Sequence, residues 1–321
     1  MDTFVNSSWY YLRYCDSKNK RKIFDKKKTD YWVPIDLYIG GKEHACMHDI
    51  YIRFYTKFLR DLGLLKINEP AIRLFVQGML HGEDGNKMSK SSGNGVDPMD
   101  IIKKYGTDSL RLFLVSVASP ESDFNWSEKG VKGSLKFIKK VIGYFDKVKI
   151  GKSSIKLESK INKTIKEISL DIENLRYNLA VIKLRGLFES FEEEINRKDL
   201  ESFLKMLSVF CPHIAEELWE KIGNKGFISL ADWPKYSEKK IDVQLEKQEE
   251  QVEKLKQDIN NIKRITGKQK AKVFVYVLPN EKEIYSDLKE IEVFAVNDKV
   301  KYDPENKSKK AKPGKPAIYL E

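Results

Sequence analysis

Two hydrophobic rhythms divide this chain. Over its first third, short strand-like runs closed by glycine alternate with helical ones. Ile35-Asp36-Leu37-Tyr38-Ile39 alternates as a strand does and ends in Gly40-Gly41. Behind the glycines, Ala45, His48, Ile52, Tyr55 and Leu59 stand 3, 4, 3 and 4 residues apart, one face of a helix that Gly63 stops. Leu74-Phe75-Val76 reads as a short buried strand, and Asp97-Pro98 supplies an N-cap followed by proline at the first helical position. Two short helices are expected over 99–105 and 107–118. From Gly130 to about Gly223 strand signals nearly vanish, and four helical segments are expected at about 130–149, 155–173, 177–195 and 199–222. Gly151 and Asn196 lie near breaks, and Pro212 opens or kinks the last segment. Ala180, Leu184, Leu187 and Phe191 recur at helical spacing as core. After Ser237 the composition changes to a highly charged helix reaching about Ile265, a strand over 272–278 (KVFVYVL), a helical stretch and a second short strand over 293–296. That is the pattern of a compact α+β appendage. The stretch 307–315, KSKKAKPGK, has five lysines and no acid, the usual mark of a solvated segment.

The stretch between the second strand and Asp97-Pro98 carries the chemistry. Lys87-Met88-Ser89-Lys90-Ser91 sets two lysines three apart among hydroxyls, donors able to close over a polyphosphate as it is displaced. Gly82, Gly85, Gly93 and Gly95 let such a loop open and shut. A solvated Lys/Ser surface loop is the plainer reading. The double glycine before a helix lets backbone amides approach a nucleotide, although it also suits a tight turn. Glu43 and His44 serve equally as first-turn polar residues, and His48, on the apolar face, as a satisfied core histidine.

At 321 residues the chain has room for two or three domains, and a formal net charge of +11 with 33% charged residues suits a polyanionic partner. Residues 18–28 form a basic insert, most simply a solvated loop, with RNA contact as the second reading. Three cysteines, Cys15, Cys46 and Cys211, lie far apart, which favours a reducing compartment over a disulfide framework or a cysteine zinc site. His213 has no partner at metal-site spacing. The start lacks a basic-then-apolar signal, and no run is long enough to span a bilayer. A cytoplasmic protein with no membrane partner and no metal is expected.

The pentapeptide Lys87–Ser91 is identical to the second signature of class I aminoacyl-tRNA synthetases, in the strand–loop–helix setting that signature occupies. YIGGKEHACMHDIYIRFYTKFLRDLGL and DTFVNSSWYYLRYCD resemble leucyl-tRNA synthetases, as does IIKKYGTDSLRLFLVSVASPESDFNWSEKGV, which in that family leads into the tRNA-binding bundle. Cys211-Pro212-His213-Ile214-Ala215-Glu216-Glu217-Leu218-Trp219-Glu220 and Asp232-Trp233-Pro234 resemble the end of that bundle, and PGKPAIYLE resembles, more loosely, the ending of archaeal-type members. One departure stands out. The family usually continues SKSKGNVV, whereas this chain reads Ser91-Ser92-Gly93-Asn94-Gly95-Val96, a less cationic and more mobile loop.

The resemblance implies a multidomain α/β plus α fold. Residues 1–126 would be the second half of a class I Rossmann-type catalytic domain, 127–236 an anticodon-binding-type helix bundle, and 237–321 a small α+β appendage that contacts tRNA. It implies leucine activation with ATP and magnesium, followed by transfer to tRNA(Leu). Lys87 and Lys90 would carry catalysis, and Gly40, Gly41, Glu43, Met88 and Ser89 would join them in binding ATP. Ser8, Tyr11 and His48 would line the leucine pocket, and Lys309, Lys310 and Lys312 would touch tRNA. The four histidines, His44, His48, His81 and His213, make no H-x-G-H, so the first class I signature and the first half of the nucleotide sheet are missing, as is an editing insertion. The chain is then a split subunit or the C-terminal part of a longer enzyme, completed by an N-terminal half. An isoleucyl, valyl or methionyl enzyme is the alternative within the class. A non-catalytic tRNA-binding relative, or a generic nucleic-acid-binding helical protein, is the alternative outside it.

Overall fold

The alternating run near residue 38 and the apolar run at 74 meet as neighbouring strands. The computed structural model describes residues 3–89, 91–286, 288 and 291–321, and the chain divides into two compact units, Met1–Tyr236 and Ser237–Glu321. In the first, three short helices, α1 (Thr3–Ser7), α2 (Tyr10–Tyr14) and α3 (Lys26–Trp32), precede β1 (Tyr38–Gly41). Helix α4 (His48–Asp61) then crosses to β2 (Leu74–Gln77), which pairs parallel with β1 from Tyr38↔Leu74 to Gly41↔Gln77. The helix begins at His48 rather than Ala45, because a 3-10 turn, Lys42–His44, takes up the chain after the double glycine. Tyr11, Leu12, Ile52, Leu59 and Leu65 form the small core beneath this pair.

β3 (Leu80–His81) lies parallel to β4 (Phe124–Asn125), with α5 (Pro98–Tyr105) and α6 (Thr107–Ser116) between them. Asp97 caps α5 by accepting from the Met99 amide, with Pro98 first in the helix. Helix α7 (Glu128–Phe145) packs on α6 where Gly130 leaves room. A β-carbon there would stand 2.4 Å from the Phe113 ring. Trp126 is buried edge-on against that ring.

The bundle continues as α8 (Ile155–Glu173), α9 (Tyr177–Glu189), α10 (Arg197–Ser208) and α11 (Pro212–Lys221). Ser154 and Asn196 cap α8 and α10 through the Leu157 and Lys198 amides. Three expectations change in detail. The segment at 199–222 is two helices, because Pro212 has no N–H to continue one. Those at 130–149 and 177–195 end early and give way to two-residue strands, β5 (Lys149–Ile150) and β6 (Glu194–Ile195), paired parallel. Phe191 therefore lies outside a helix, yet still packs with Phe188 and Phe203. The core of Ile161, Ile165, Leu184, Phe203 and Leu207 is almost wholly excluded from solvent.

In the second unit, α12 (Val243–Thr266) precedes β7 (Val273–Val277), α13 (Lys282–Tyr285) and β8 (Ile291–Ala295). β9 (Ala317–Leu320) closes a sheet of order β8-β7-β9, with β8 parallel and β9 antiparallel to β7. β7 is buried along its length because both faces are covered. Val273, Val275 and Val277 meet Leu255 and Ile259 of α12, whereas Phe274 and Tyr276 meet Phe294 and Tyr319. The lysine-rich stretch expected to be solvated is thus held at both ends. Ser308 is buried in a 3-10 turn, and Ala317 and Leu320 are buried in the sheet.

Candidate functional site

The site fragment is assembled where β1 and β2 end. In open parallel sheets ligands bind beyond the carboxyl ends of the strands, and here Gly41 and Gln77 end side by side. The Glu43 carboxylate lies against Gly41, 2.4 Å from where a β-carbon would stand. Lys42 reaches across to Asp123, its Nζ 2.7 and 2.9 Å from the two carboxylate oxygens. Asp123 also accepts from the Met79 amide at 2.8 Å, and these donors, Lys42 first, hold its carboxyl below the ordinary range. Gly78 is required beside it, since a β-carbon there would fall 2.1 Å from the Ser122 carbonyl oxygen. The end of β1 is thereby tied to the start of the lysine loop.

That loop has a hydrogen-bonded base. Lys87 pairs with His81 across an antiparallel bridge, and the Gly82 amide donates to the Asn86 carbonyl at 2.8 Å. Asp84 accepts from the Asn86 amide at 3.1 Å, and the Asn86 and Asn94 side chains hold its carboxyl low as well. Asn94 accepts from the Ser89 amide at 3.0 Å and donates to the Lys87 carbonyl at 3.3 Å. The Ser89 hydroxyl meets those of Ser91 and Ser92 at 3.1 and 2.7 Å. Met88 packs on the cluster of Ile101, Tyr105, Phe113 and Trp126, so its side chain anchors the loop. Lys87 is exposed. Lys90 lies outside the described residues.

The residues expected to line a leucine pocket separate into two groups. Ser8 is buried and donates to the Phe4 carbonyl at 2.5 Å. The Tyr11 hydroxyl meets Thr56 Oγ1 at 2.7 Å, and burial pushes that hydroxyl up to about 12. His48 is half-buried at the start of α4 with other partners. Its Nε2 meets the Tyr38 hydroxyl at 2.6 Å, and Tyr38 meets the Tyr10 hydroxyl at 2.7 Å. The Tyr10 and Tyr38 rings stack on His48, and His44 meets it edge-on at 5.8 Å. Burial, with Tyr10 second, raises the Tyr38 hydroxyl above its ordinary range. The sequence marks Tyr38 only as a strand residue. Asp123, 81 residues from Lys42, leaves no local signal.

Comparison with known proteins identifies relatives of the whole chain. The sequence profile described as tRNA synthetases class I (I, L, M and V) matches residues 4–127, and that described as the anticodon-binding domain of tRNA ligase matches 155–277. A leucine--tRNA ligase of Petrotoga mobilis is 41% identical over 313 residues, which is 89% of this chain and 36% of that protein. One from Thermosipho melanesiensis is 40% identical over 308 residues, covering 88% of this chain and 36% of that protein. The chain is a homologue of the leucine--tRNA ligases. It spans about a third of the length of these curated relatives. The crystal structure of the Agrobacterium radiobacter K84 agnB2 LeuRS-tRNA-LeuAMS ternary complex aligns with a TM-score of 0.66 at 27% identity, covering 87% of this chain and 35% of that one. The fold is therefore a class I catalytic-domain fragment followed by an anticodon-binding helical domain.

A seam joins these two family segments. Asp108, near the start of α6, is 5% exposed and accepts from the Ile214 amide at 2.8 Å, one of the unpaired donors of the first turn of α11. Its other oxygen lies 2.8 Å from His213 Nδ1, on a side chain that is 69% exposed. Arg111 donates to the Val209 carbonyl at 3.4 Å, and burial pushes the neighbouring Cys211 thiol up to about 12. Lys132, Lys136, Lys139 and Lys140 of α7 line a shallow cavity of about 410 Å³ on the bundle, a positive surface of the kind phosphates meet. Among the described residues no group of three or more His, Cys, Asp or Glu is placed to hold a metal ion, and no helix is long and apolar enough to cross a membrane.

Proposed function

We propose that this chain is the part of a leucine--tRNA ligase that supplies the second half of the catalytic site, the tRNA-binding bundle and a further RNA-contacting appendage. The proposed division is 1–126, 127–236 and 237–321. With a complementary N-terminal half it activates leucine: a carboxylate oxygen attacks the α-phosphorus of ATP and the bond to pyrophosphate breaks, leaving leucyl-adenylate. A terminal ribose hydroxyl of tRNA(Leu) then attacks the leucyl carbonyl, gives up its proton, and the bond to AMP breaks. The observation that carries this reading is the loop of Lys87, Met88 and Ser89 on its hydrogen-bonded base, tied through Asp123 and Lys42 to the Gly40-Gly41-Glu43 turn. Since the carboxylate is already a nucleophile, catalysis rests on orientation and charge stabilisation.

Lys87 and Lys90 neutralise the phosphates as charge moves toward pyrophosphate, with magnesium entering on the ATP phosphates. Ser89 contributes its hydroxyl to the same site, and Met88 holds the loop to its core. Gly40, Gly41 and Glu43 receive the adenosine. His48, with Tyr10 and Tyr38 stacked on it, shapes the aliphatic pocket together with Ser8 and Tyr11. Lys309, Lys310 and Lys312 meet tRNA phosphate, and the cytoplasm is where such a ligase works. Leucine-dependent ATP–pyrophosphate exchange tests the proposal. The chain mixed with a complementary half should exchange with leucine well above isoleucine, valine or methionine, and the chain alone should not. Exchange by the chain alone, or a preference for one of the other three, overturns it.

A further inference from the structure

Asn94 differs from the residues around it. Ser91, Ser92, Gly93 and Gly95 are exposed, whereas Asn94 is half-buried because its side chain folds back on the lysine loop. There its carboxamide brackets Met88. Oδ1 accepts from the Ser89 amide at 3.0 Å, and Nδ2 donates to the Lys87 carbonyl at 3.3 Å. A backbone amide only donates and a carbonyl only accepts, so the orientation of the carboxamide is fixed. Nδ2 also lies 3.4 Å from both carboxylate oxygens of Asp84, which is itself held by the Asn86 amide at 3.1 Å.

This arrangement copies a strand. In an extended chain a carbonyl and the amide two residues further on face the same edge, where a neighbouring strand supplies one donor and one acceptor. The other edge of the segment is already used: the Asn86 carbonyl accepts from the Gly82 amide at 2.8 Å, beside the bridge of Lys87 to His81. Asn94 fills the second edge with a side chain, and Met88 is pinned on its apolar cluster. The Lys87 backbone is thus held from both edges while its side chain stays exposed. A long side chain meets a phosphate only as accurately as its backbone is held, and a misplacement of about 1 Å can cost about a hundredfold in rate.

We infer that Asn94 is a positioning residue for the reaction: its carboxamide, oriented by Asp84, holds the Lys87 and Ser89 backbone so that the Lys87 ammonium meets the ATP phosphates. This rests on the function proposed above. Asn94 touches no reacting atom and acts through Lys87. A brace that served the fold alone would show itself as lost stability. One that aims Lys87 shows itself as lost rate, and only while Lys87 is present.

The experiment has two arms. In the full chain alone, hydrogen exchange of the Ser89 amide, read by NMR, reports the brace without any catalysis. Asn94→Ala should speed that exchange roughly tenfold, the equivalent of one hydrogen bond, at unchanged melting temperature because Asn94 lies outside the helices and strands. In the chain mixed with the complementary half, Asn94→Ala should lower the kcat of leucine-dependent ATP–pyrophosphate exchange about tenfold to a hundredfold, with KM for ATP and leucine within about twofold of the parent. Asn94→Asp has no hydrogen to give the Lys87 carbonyl and sets a second carboxylate beside Asp84, so it should lose at least as much. In a Lys87→Ala background, Asn94→Ala should cost less than about twofold more, since the residue it aims is gone. Losses that multiply in the double variant, a full rate in either Asn94 variant, or equal Ser89 exchange in variant and parent overturn the inference. So does a rate loss that only follows a lowered melting temperature. A parent mixture that shows no leucine-dependent exchange sinks the proposed function and this role with it, whereas an active parent whose Asn94 variants keep pace sinks the role alone.

Discussion

Replacing Asp108 by alanine should destabilise the first unit more than any other single polar change at the joint between its two family segments. The side chain is nearly buried, and it supplies the acceptor that the first turn of α11 lacks, since Cys211 makes no side-chain cap. A hydrogen bond from an amide to a charged acceptor contributes about 1.5–3 kcal/mol, and loss of a helix cap costs about 0.5–2 kcal/mol. These describe one bond here and are not added. The His213 contact is largely solvated and is worth at most about 1 kcal/mol. Asp108→Ala should therefore cost about 2–3 kcal/mol. Asp108→Asn keeps an acceptor oxygen and should cost about 1 kcal/mol, and His213→Ala less than that. Urea unfolding at neutral pH, followed by helical dichroism and by fluorescence of Trp219, which is buried on α11, reads the difference. Any separate transition of the second unit is fitted on its own. If the alanine variants of Asp108 and His213 shift the midpoint equally, or neither shifts it, the carboxylate is not the cap that joins the helices.

Three further outcomes follow from the site and its surroundings. Lys87→Ala and Lys90→Ala, each in the reconstituted enzyme, should lower leucine-dependent exchange by roughly tenfold to a thousandfold with little change in the KM for ATP, because the interaction strengthens only as charge develops. Unchanged rates return the loop to solvent. Asp16 accepts from Lys28 at 2.5 Å, Asn19 at 2.7 Å and the Asp25 amide at 3.0 Å, and Lys28 leads in holding its carboxyl below the ordinary 3.8. A depressed value means stability that is present above 3.8 and lost as pH falls through the lowered one. Asp16→Asn should thus be less stable at neutral pH and show a shallower acid limb, and parallel acid limbs count against the bonds. Changing Lys309, Lys310 and Lys312 together to alanine should weaken tRNA binding and flatten its logarithmic salt slope by roughly 0.7–0.9 for each phosphate left unneutralised, at unchanged melting temperature. An unaltered slope removes these lysines from the RNA surface.

What the sequence makes legible is local. The strand at 74–76, the cap at Asp97 and the central strand of the second unit each need only a few neighbouring residues to declare themselves, and all three stand within a residue or two of their expected places. The lysine signature is equally local. The contacts that tie distant segments together are not. Asp123 serves Lys42 from 81 positions away, and Asp108 serves Ile214 from 106, distances at which periodicity carries no information. The start of α4 departs from its expected place for a different reason. Ala45 and His48 share a helical spacing, but a 3-10 turn over Lys42–His44 and a further turn over 45–47 come before the helix, and the double glycine gives no side-chain cap to favour an earlier start.

The lysine-rich segment at 307–315 shows how one composition supports two physical readings. Five lysines without an acid describe a solvated run when only side-chain charge is considered. Its backbone tells the other half. Asp303 accepts from the Lys307 and Ser308 amides at 2.7 and 3.1 Å, the Gly314 amide donates to buried Glu281 at 2.7 Å, and Ala317–Leu320 completes the sheet. Lys309, Lys310 and Lys312 project from a frame fixed at three points, so their charges are pre-positioned. A fixed basic surface loses less conformational entropy on meeting phosphate than a free tail would. Removing the frame and removing the charges are therefore different perturbations. Deleting Ala317–Leu320 strips β9 from β7 and uncovers Val273 and Val275, which should unfold the second unit whether or not RNA is present. Only the alanine substitutions isolate the electrostatic contribution, and a deletion that weakened tRNA binding while also lowering the melting temperature would report on the frame alone.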